Sequence, residues 1–180
     1  MAVKAMPHAL APFASALDLP ISAIEVDAVR SFGGRLDLTY RVLGVTTQLS
    51  LPDAAPAQRA DELWRHTCLE VFVQAVGEAD YLEFNFSPSG QWASYRFDDY
   101  RLGMAASEVV PALAIQRIGG DLELTATLDL PALADADWHL ALCAVIETVE
   151  GRHSYWSLAH PPGKPDFHHA ISFALALSGG

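Results

Sequence analysis

The feature that most restricts this chain is a succession of short runs in which apolar and polar residues alternate, each run closed by a turn signal. Such runs lie at residues 21–29, 35–43, 45–51, 68–76, 81–87, 92–97, 112–117, 122–130, 139–148, 154–158 and 170–177. Alternation with period two marks a strand with one face turned to a core. Between the runs stand Gly33-Gly34, Gly44, Pro88-Ser89-Gly90, Gly119-Gly120-Asp121 and Glu150-Gly151, which supply the backbone angles of tight reversals. Helical periodicity is scarce: residues 56–64 suit a turn or two of helix, and residues 131–136 another. Short connections favour antiparallel pairing. The expected fold is all-β, an antiparallel β-sandwich of about ten strands of the jelly-roll or immunoglobulin-like kind. It is expected as a single domain over residues 21–180 behind an N-terminal arm at residues 1–20.

Polar residues inside the strands carry the functional information. Leu69, Val71 and Val73 take one face of their run, and Cys68, Glu70, Phe72 and Gln74 the other. Leu82, Phe84 and Phe86 likewise oppose Tyr81, Glu83, Asn85 and Ser87. Ala93, Tyr95 and Phe97 oppose Trp92, Ser94 and Arg96, while Leu140, Leu142, Ala144 and Ile146 oppose His139, Cys143, Val145 and Glu147. If these runs share a sheet, Glu70, Glu83, Asn85, Arg96 and Glu147 converge on its second face. One face of an antiparallel sheet is often merely solvated. Here, however, the charges come with Phe72, Tyr81, Trp92 and two cysteines, and lysine is confined to Lys4 and Lys164. A face that mixes aromatic rings with a few charges suits a concave pocket in which polar groups orient a ligand.

The bulk properties narrow the partners. A net charge of −11 and a pI near 4.8 exclude a phosphate-backbone footprint, so no nucleic acid is expected, and they disfavour an anionic membrane surface. No apolar run approaches the ~18 residues of a membrane span. The opening stretch lacks the continuous apolar segment of an export signal, so a cytoplasmic location with reduced Cys68 and Cys143 is expected.

Two stretches then resemble a known family. Glu62-Leu63-Trp64-Arg65-His66-Thr67-Cys68-Leu69-Glu70-Val71-Phe72-Val73 precedes Tyr81-Leu82-Glu83-Phe84-Asn85-Phe86-Ser87-Pro88-Ser89-Gly90. Together they resemble the central signature of DOMON-like, family-nine carbohydrate-binding modules. Ser154-Tyr155-Trp156-Ser157-Leu158-Ala159-His160 resembles the downstream tryptophan-containing strand of that family. The resemblance is to an uncharacterised, stand-alone bacterial branch and runs from about Ile21 to the end. It implies a carbohydrate-binding-module type of sandwich that holds a small carbohydrate or polyhydroxylated ligand between two tryptophan rings. Trp64 and Trp156 take the ring positions, Glu70 the acid and Arg96 the cation, with Glu83, Asn85, Glu147 and His160 completing the candidate ligand-binding set. The family also implies structural Ca²⁺, for which the sequence names no ligands. The chain departs from it in carrying Arg65-His66-Thr67-Cys68 where many modules place acids.

Other readings use the same residues. The aromatic face would also serve a protein partner or a homodimer, as a scaffold domain. Paired acids such as Glu70 and Glu147 suit a glycosidase, but no acid stands alone in an evident apolar pocket and no catalytic residue is assigned. His160, Asp166, His168 and His169 border the proline-rich loop at residues 161–165 and are of types that ligate metals. Some DOMON relatives bind haem, for which Met104 is the methionine inside the domain proper.

Overall fold

The computed structural model describes residues 6–14 and 19–179. It contains twelve strands: β1 (His8–Pro12), β2 (Ile21–Ser31), β3 (Arg35–Gly44), β4 (Cys68–Ala75), β5 (Tyr81–Phe86), β6 (Trp92–Phe97), β7 (Ala105–Ala106), β8 (Ala112–Ile118), β9 (Asp121–Asp129), β10 (Trp138–Glu147), β11 (His153–Ser157) and β12 (Leu175–Leu177). All strand pairs are antiparallel, in the order β7-β6-β5-β4-β10-β11-β1-β2-β3-β9-β8, with β12 beside β11 on the same flank of β10.

The all-β antiparallel expectation holds, but the strands form one continuous sheet curled over on itself. Strand β1 makes the join. His8–Leu10 pair with β2, while Ala11 and Pro12 pair with β11. This segment was expected as an arm outside the domain, and it is a strand of the sheet. The alternation of so short a run between Pro7 and Pro12 is too brief to reveal it. Residues 45–51, expected as a strand, contain a one-turn 3₁₀ helix, Thr46–Gln48, with a single bridge from Leu49 to Thr148. Residues 170–177 form a 3₁₀ turn, Ala170–Ser172, before the short β12. The helical turns expected at residues 56–64 and 131–136 shrink to Leu63–Arg65 and Pro131–Leu133.

Curling lets the two halves face each other across one core. Leu36, Leu38, Tyr40 and Val42 of β3 and Leu122, Leu124, Ala126 and Leu128 of β9 meet Leu69, Val71 and Val73 of β4 and Leu140, Leu142 and Ala144 of β10. Tyr40 is fully buried, and its hydroxyl donates to the Glu70 carbonyl at 2.7 Å, tying the halves together from a side chain that could not otherwise be desolvated cheaply. The outer face of the β2-β3-β9 half is wet: Arg41 bridges Asp27 at 2.7 Å and Glu123 at 3.1 Å across three neighbouring strands.

The other half is covered on both faces. Phe72, Tyr81, Tyr95, Phe97, Cys143 and Val145 form a second apolar cluster on the outer side of β4, β5, β6 and β10, capped by Leu63, Phe167 and Phe173 from loops. A solvated second face is thus replaced by a small second core, and charged residues of β4 and β5 lie inside it.

Candidate functional site

Register decides which side chains meet on that second face. The β5–β6 reversal is closed by Ser87 N–H donating to the Gln91 carbonyl at 2.9 Å, and Gly90 takes φ +95° within it. The turn sets Phe86 opposite Trp92, hence Glu83 opposite Tyr95 and Leu82 opposite Arg96. Tyr95 and Phe97 therefore join Glu83. Arg96, expected beside Glu70, lies on the opposite face, exposed and paired with Asp98 at 3.0 Å. Alternation gives two faces per strand, and only the turn says which faces join.

A cavity of about 830 Å³ opens on this face, within the range of small-molecule sites. Glu70 and Phe72 from β4, Glu83 from β5 and Val145 from β10 make its floor. Tyr95, Phe97, Tyr155, Phe167 and Trp64 supply aromatic walls, and Arg59, Asp61, Arg101, Asp166 and His168 supply charge and polarity. Among the described residues, Glu62 and Arg101 are the two non-glycine residues at positive φ (59° and 55°), and both line this cavity. Left-handed backbone costs such residues energy, and it concentrates where position serves a site.

The two acids of the floor are the unusual part. Glu70 is 3% exposed and its Oε1 has no hydrogen-bond partner. Burial, reinforced by the charge of Glu83, pushes its carboxyl well above the ordinary value. Glu83 accepts from the Asn85 amide at 2.8 Å, yet burial still raises it to about 7. Asn85 is fully buried and keeps its own Oδ1 unpartnered. Cys68 neighbours Glu70 along β4, and Cys143 stands opposite it on β10; burial foremost drives both thiols up, so neither is a ready nucleophile.

His168 closes the floor on one side. Tyr81 O–H and His168 Nδ1 lie within hydrogen-bond distance at 2.8 Å, and the Tyr81 oxygen also accepts from the Arg101 backbone N–H at 3.2 Å. Burial, with the Arg101 charge behind it, lowers His168 to about 4, so the ring is neutral near pH 7. Its Nε2 stands 3.7 Å from Glu83, too long for a hydrogen bond and no ion pair while the ring is uncharged. Burial alone would raise Asp166. Hydrogen bonds from Tyr100 and from Arg101 (2.7 Å) outweigh it and hold the carboxyl below its ordinary value.

Of the residues expected from sequence, Trp64, Glu70 and Glu83 line the cavity, and Asn85 braces Glu83 from beneath. The others do not gather there. Trp156 is 4% exposed within the main core, on the far side of the sheet from Glu70, and its indole N–H donates to Ser154 at 3.0 Å. Opposite Ala144 in register, it shares the inward face of β10, so Trp64 and Trp156 do not flank one ligand. Glu147 binds His66 at 2.8 Å near the strand end. His160 packs edge-on against Phe13 and contacts the Ala11 carbonyl at 2.8 Å. Sequence reasoning missed Tyr95, Phe97, Arg59, Arg101 and Tyr155 as site residues. The length of the β5–β6 turn was the signal that would have brought in the first two, whereas Arg59 and Arg101 come from irregular loops with no period to read.

Among the described residues, no group of three or more His, Cys, Asp or Glu is arranged to hold a metal ion, and no helix is long and apolar enough to cross a membrane. No family model and no curated protein matches the chain. Among solved structures it is similar to one from Bacteroides uniformis ATCC 8492 described as a "putative carbohydrate-binding protein", with a TM-score of 0.61 and 16% identity over 88% of this chain and 78% of the other. At that identity the likeness shows a shared all-β fold.

Proposed function

We propose that this chain is a non-catalytic binding module, of the DOMON-like family-nine kind, that takes a small carbohydrate or polyhydroxylated ligand into the cavity above Glu70. The observation that carries the reading is the floor itself: Glu70 Oε1 is buried without a partner in a cavity walled by aromatic rings. Leaving that atom unpaired costs roughly 1–3 kcal/mol, which a ligand bearing hydroxyl donors would recover. Sugar rings present apolar C–H faces together with hydroxyls, and Trp64, Tyr95 and Tyr155 offer the rigid flat area that such faces stack on. The fold shared with a protein described as carbohydrate-binding supports the same reading.

Glu70 and Glu83 act here as hydrogen-bonding groups. A hydrolytic pair sets one raised acid beside one held ionised, whereas burial raises both of these, Glu83 to about 7 and Glu70 well above its ordinary value. The haem alternative fits the residues poorly. Met104 and His168 share the cavity wall, but His168 Nδ1 is engaged by Tyr81 and its Nε2 faces Glu83. A protein-binding role for the aromatic face is also less favoured, because loops already cover most of it and Trp64 is its main exposed ring.

Titration against a panel of mono- and disaccharides, followed by tryptophan fluorescence, tests the reading. A saturable change that weakens at least about ten-fold in Trp64→Ala is expected, in line with the loss of an aromatic anchor. A flat response across the whole panel would sink it.

A further inference from the structure

We infer that the cavity selects a ligand carrying a protonated primary amine, an amino sugar where the frame is a carbohydrate, with the ammonium seated between Glu70 and Glu83. This rests on the reading of the cavity as a ligand site and narrows the chemistry of what enters it.

The argument starts from what the floor lacks. Its orphaned atom, Glu70 Oε1, is an acceptor, so the missing partner is a donor. Its two lining arginines are engaged elsewhere. Arg101 is committed to Asp166 at 2.7 Å, and Arg59 to the Ser94 carbonyl at 2.6 Å and the Ser107 carbonyl at 3.4 Å. Glu62, at the rim, already holds Arg65 at 2.8 Å. Among the described residues, then, no lining arginine forms an ion pair with Glu70 or Glu83, although the Arg101 charge reaches Glu83, and the neutral His168 ring does not supply one.

A neutral hydroxyl would satisfy Glu70 Oε1 but bring no charge against which the two acids could ionise. A primary ammonium brings three donors and the missing charge at once. Glu83 stands opposite Phe72 and Glu70 opposite Asn85, so the two acids are diagonal neighbours across β4 and β5, within reach of one small cation. The surrounding rings of Phe72, Tyr95 and Phe97 add the electron-rich faces that favour a cation in a desolvated site. Burial favours the protonated form of both acids in the empty cavity, and an ammonium between them favours the ionised form. Binding therefore releases protons to the buffer.

Calorimetric titrations of the whole chain with paired probes test this at pH 7. D-Glucosamine is compared with D-glucose and N-acetyl-D-glucosamine, and benzylamine with benzyl alcohol. D-Glucosamine is expected to bind at least about ten-fold tighter than its neutral counterparts. Its heat should also depend on the buffer's ionisation enthalpy, and Glu70→Gln should erase the preference of glucosamine over glucose. Equal binding of glucosamine and glucose overturns the inference and leaves the carbohydrate reading standing; the floor then closes on itself, with a protonated Glu70 donating to Asn85 Oδ1. Benzylamine bound in preference to benzyl alcohol, with no sugar bound, upholds the ammonium site and removes the carbohydrate. These ligand comparisons use the native chain, so they hold even if Glu70→Gln proves unstable.

Discussion

Trp156→Ala should lower the free energy of unfolding by about 3–5 kcal/mol, the cost of emptying a large buried aromatic from a core that relaxes only in part. Trp64→Ala should change it by less than about 1 kcal/mol, because truncating a half-exposed side chain opens no closed cavity. The two tryptophans separate on this measurement because Trp156 packs among Leu10, Ile24, Ala144 and Ile146 inside the main core, whereas Trp64 is 46% exposed at the cavity mouth. Urea denaturation of both variants, each paired with a ligand titration, gives a crossed result. Trp156→Ala loses stability and, where it stays folded, keeps its ligand response. Trp64→Ala keeps stability and loses the response. Equal losses of stability would make Trp64 a core ring like Trp156, and a ligand response abolished by both in the folded state would mean that both rings touch ligand after all.

The double variant Glu70→Gln, Glu83→Gln should be more stable than the native chain at pH 8, by on the order of 1–3 kcal/mol, with the gain vanishing near pH 4. An unfolded glutamate loses its proton near 4.5, whereas folded Glu83 holds one to about 7 and Glu70 is also displaced upward. Above about pH 4.5 the folded chain therefore binds more protons than the unfolded one, and stability falls as pH rises. The Glu83 share of that loss is complete once pH passes about 7. His168 acts with the opposite sign. Lowered from 6.5 to about 4, it makes the folded chain bind fewer protons in that window, so its contribution rises with pH there and partly cancels Glu83. The acids consequently show most clearly above about pH 6.5. Removing both charges also strips the floor of its anionic character, so the stabilised variant should bind ligand poorly, the usual trade between a strained site and a stable one. Thermal melts at pH 4, 6 and 8 check the sign. A variant destabilised equally at every pH would instead make the acids structural hydrogen-bond partners.

How much of this was legible beforehand depended on whether a periodic pattern carried it. β3 and β9 alternate over nearly their whole length, so Leu36, Leu38, Tyr40, Val42 and their partners on β9 could be read inward at once. The inward and outward faces of β4, β5 and β10 were equally plain, and with them the shared face of Glu70, Glu83 and Asn85. Two kinds of fact escaped. Register across a turn is one: the face holding Tyr95 and Phe97 looked like the core side of β6, and only the reversal at Gly90 places it with Glu83. Coverage by loops is the other. Nothing periodic marks Phe167, His168 or Phe173, which turn an apparently solvated face into a second core, nor Arg59 and Arg101, which reach the cavity from irregular segments. Trp156 failed for a third reason. Its run is five residues long, and its neighbours Tyr155 and Ser157 do not say which face of the sheet is inward until pairing with β10 does.

The most direct test of the cavity as a ligand site is a crystal structure of the chain soaked with a saccharide that gives a fluorescence response. The account predicts ordered density against the Trp64 ring, with a ligand donor within about 3.2 Å of Glu70 Oε1. Density at another surface, with the floor between Glu70 and Glu83 left empty, would contradict it.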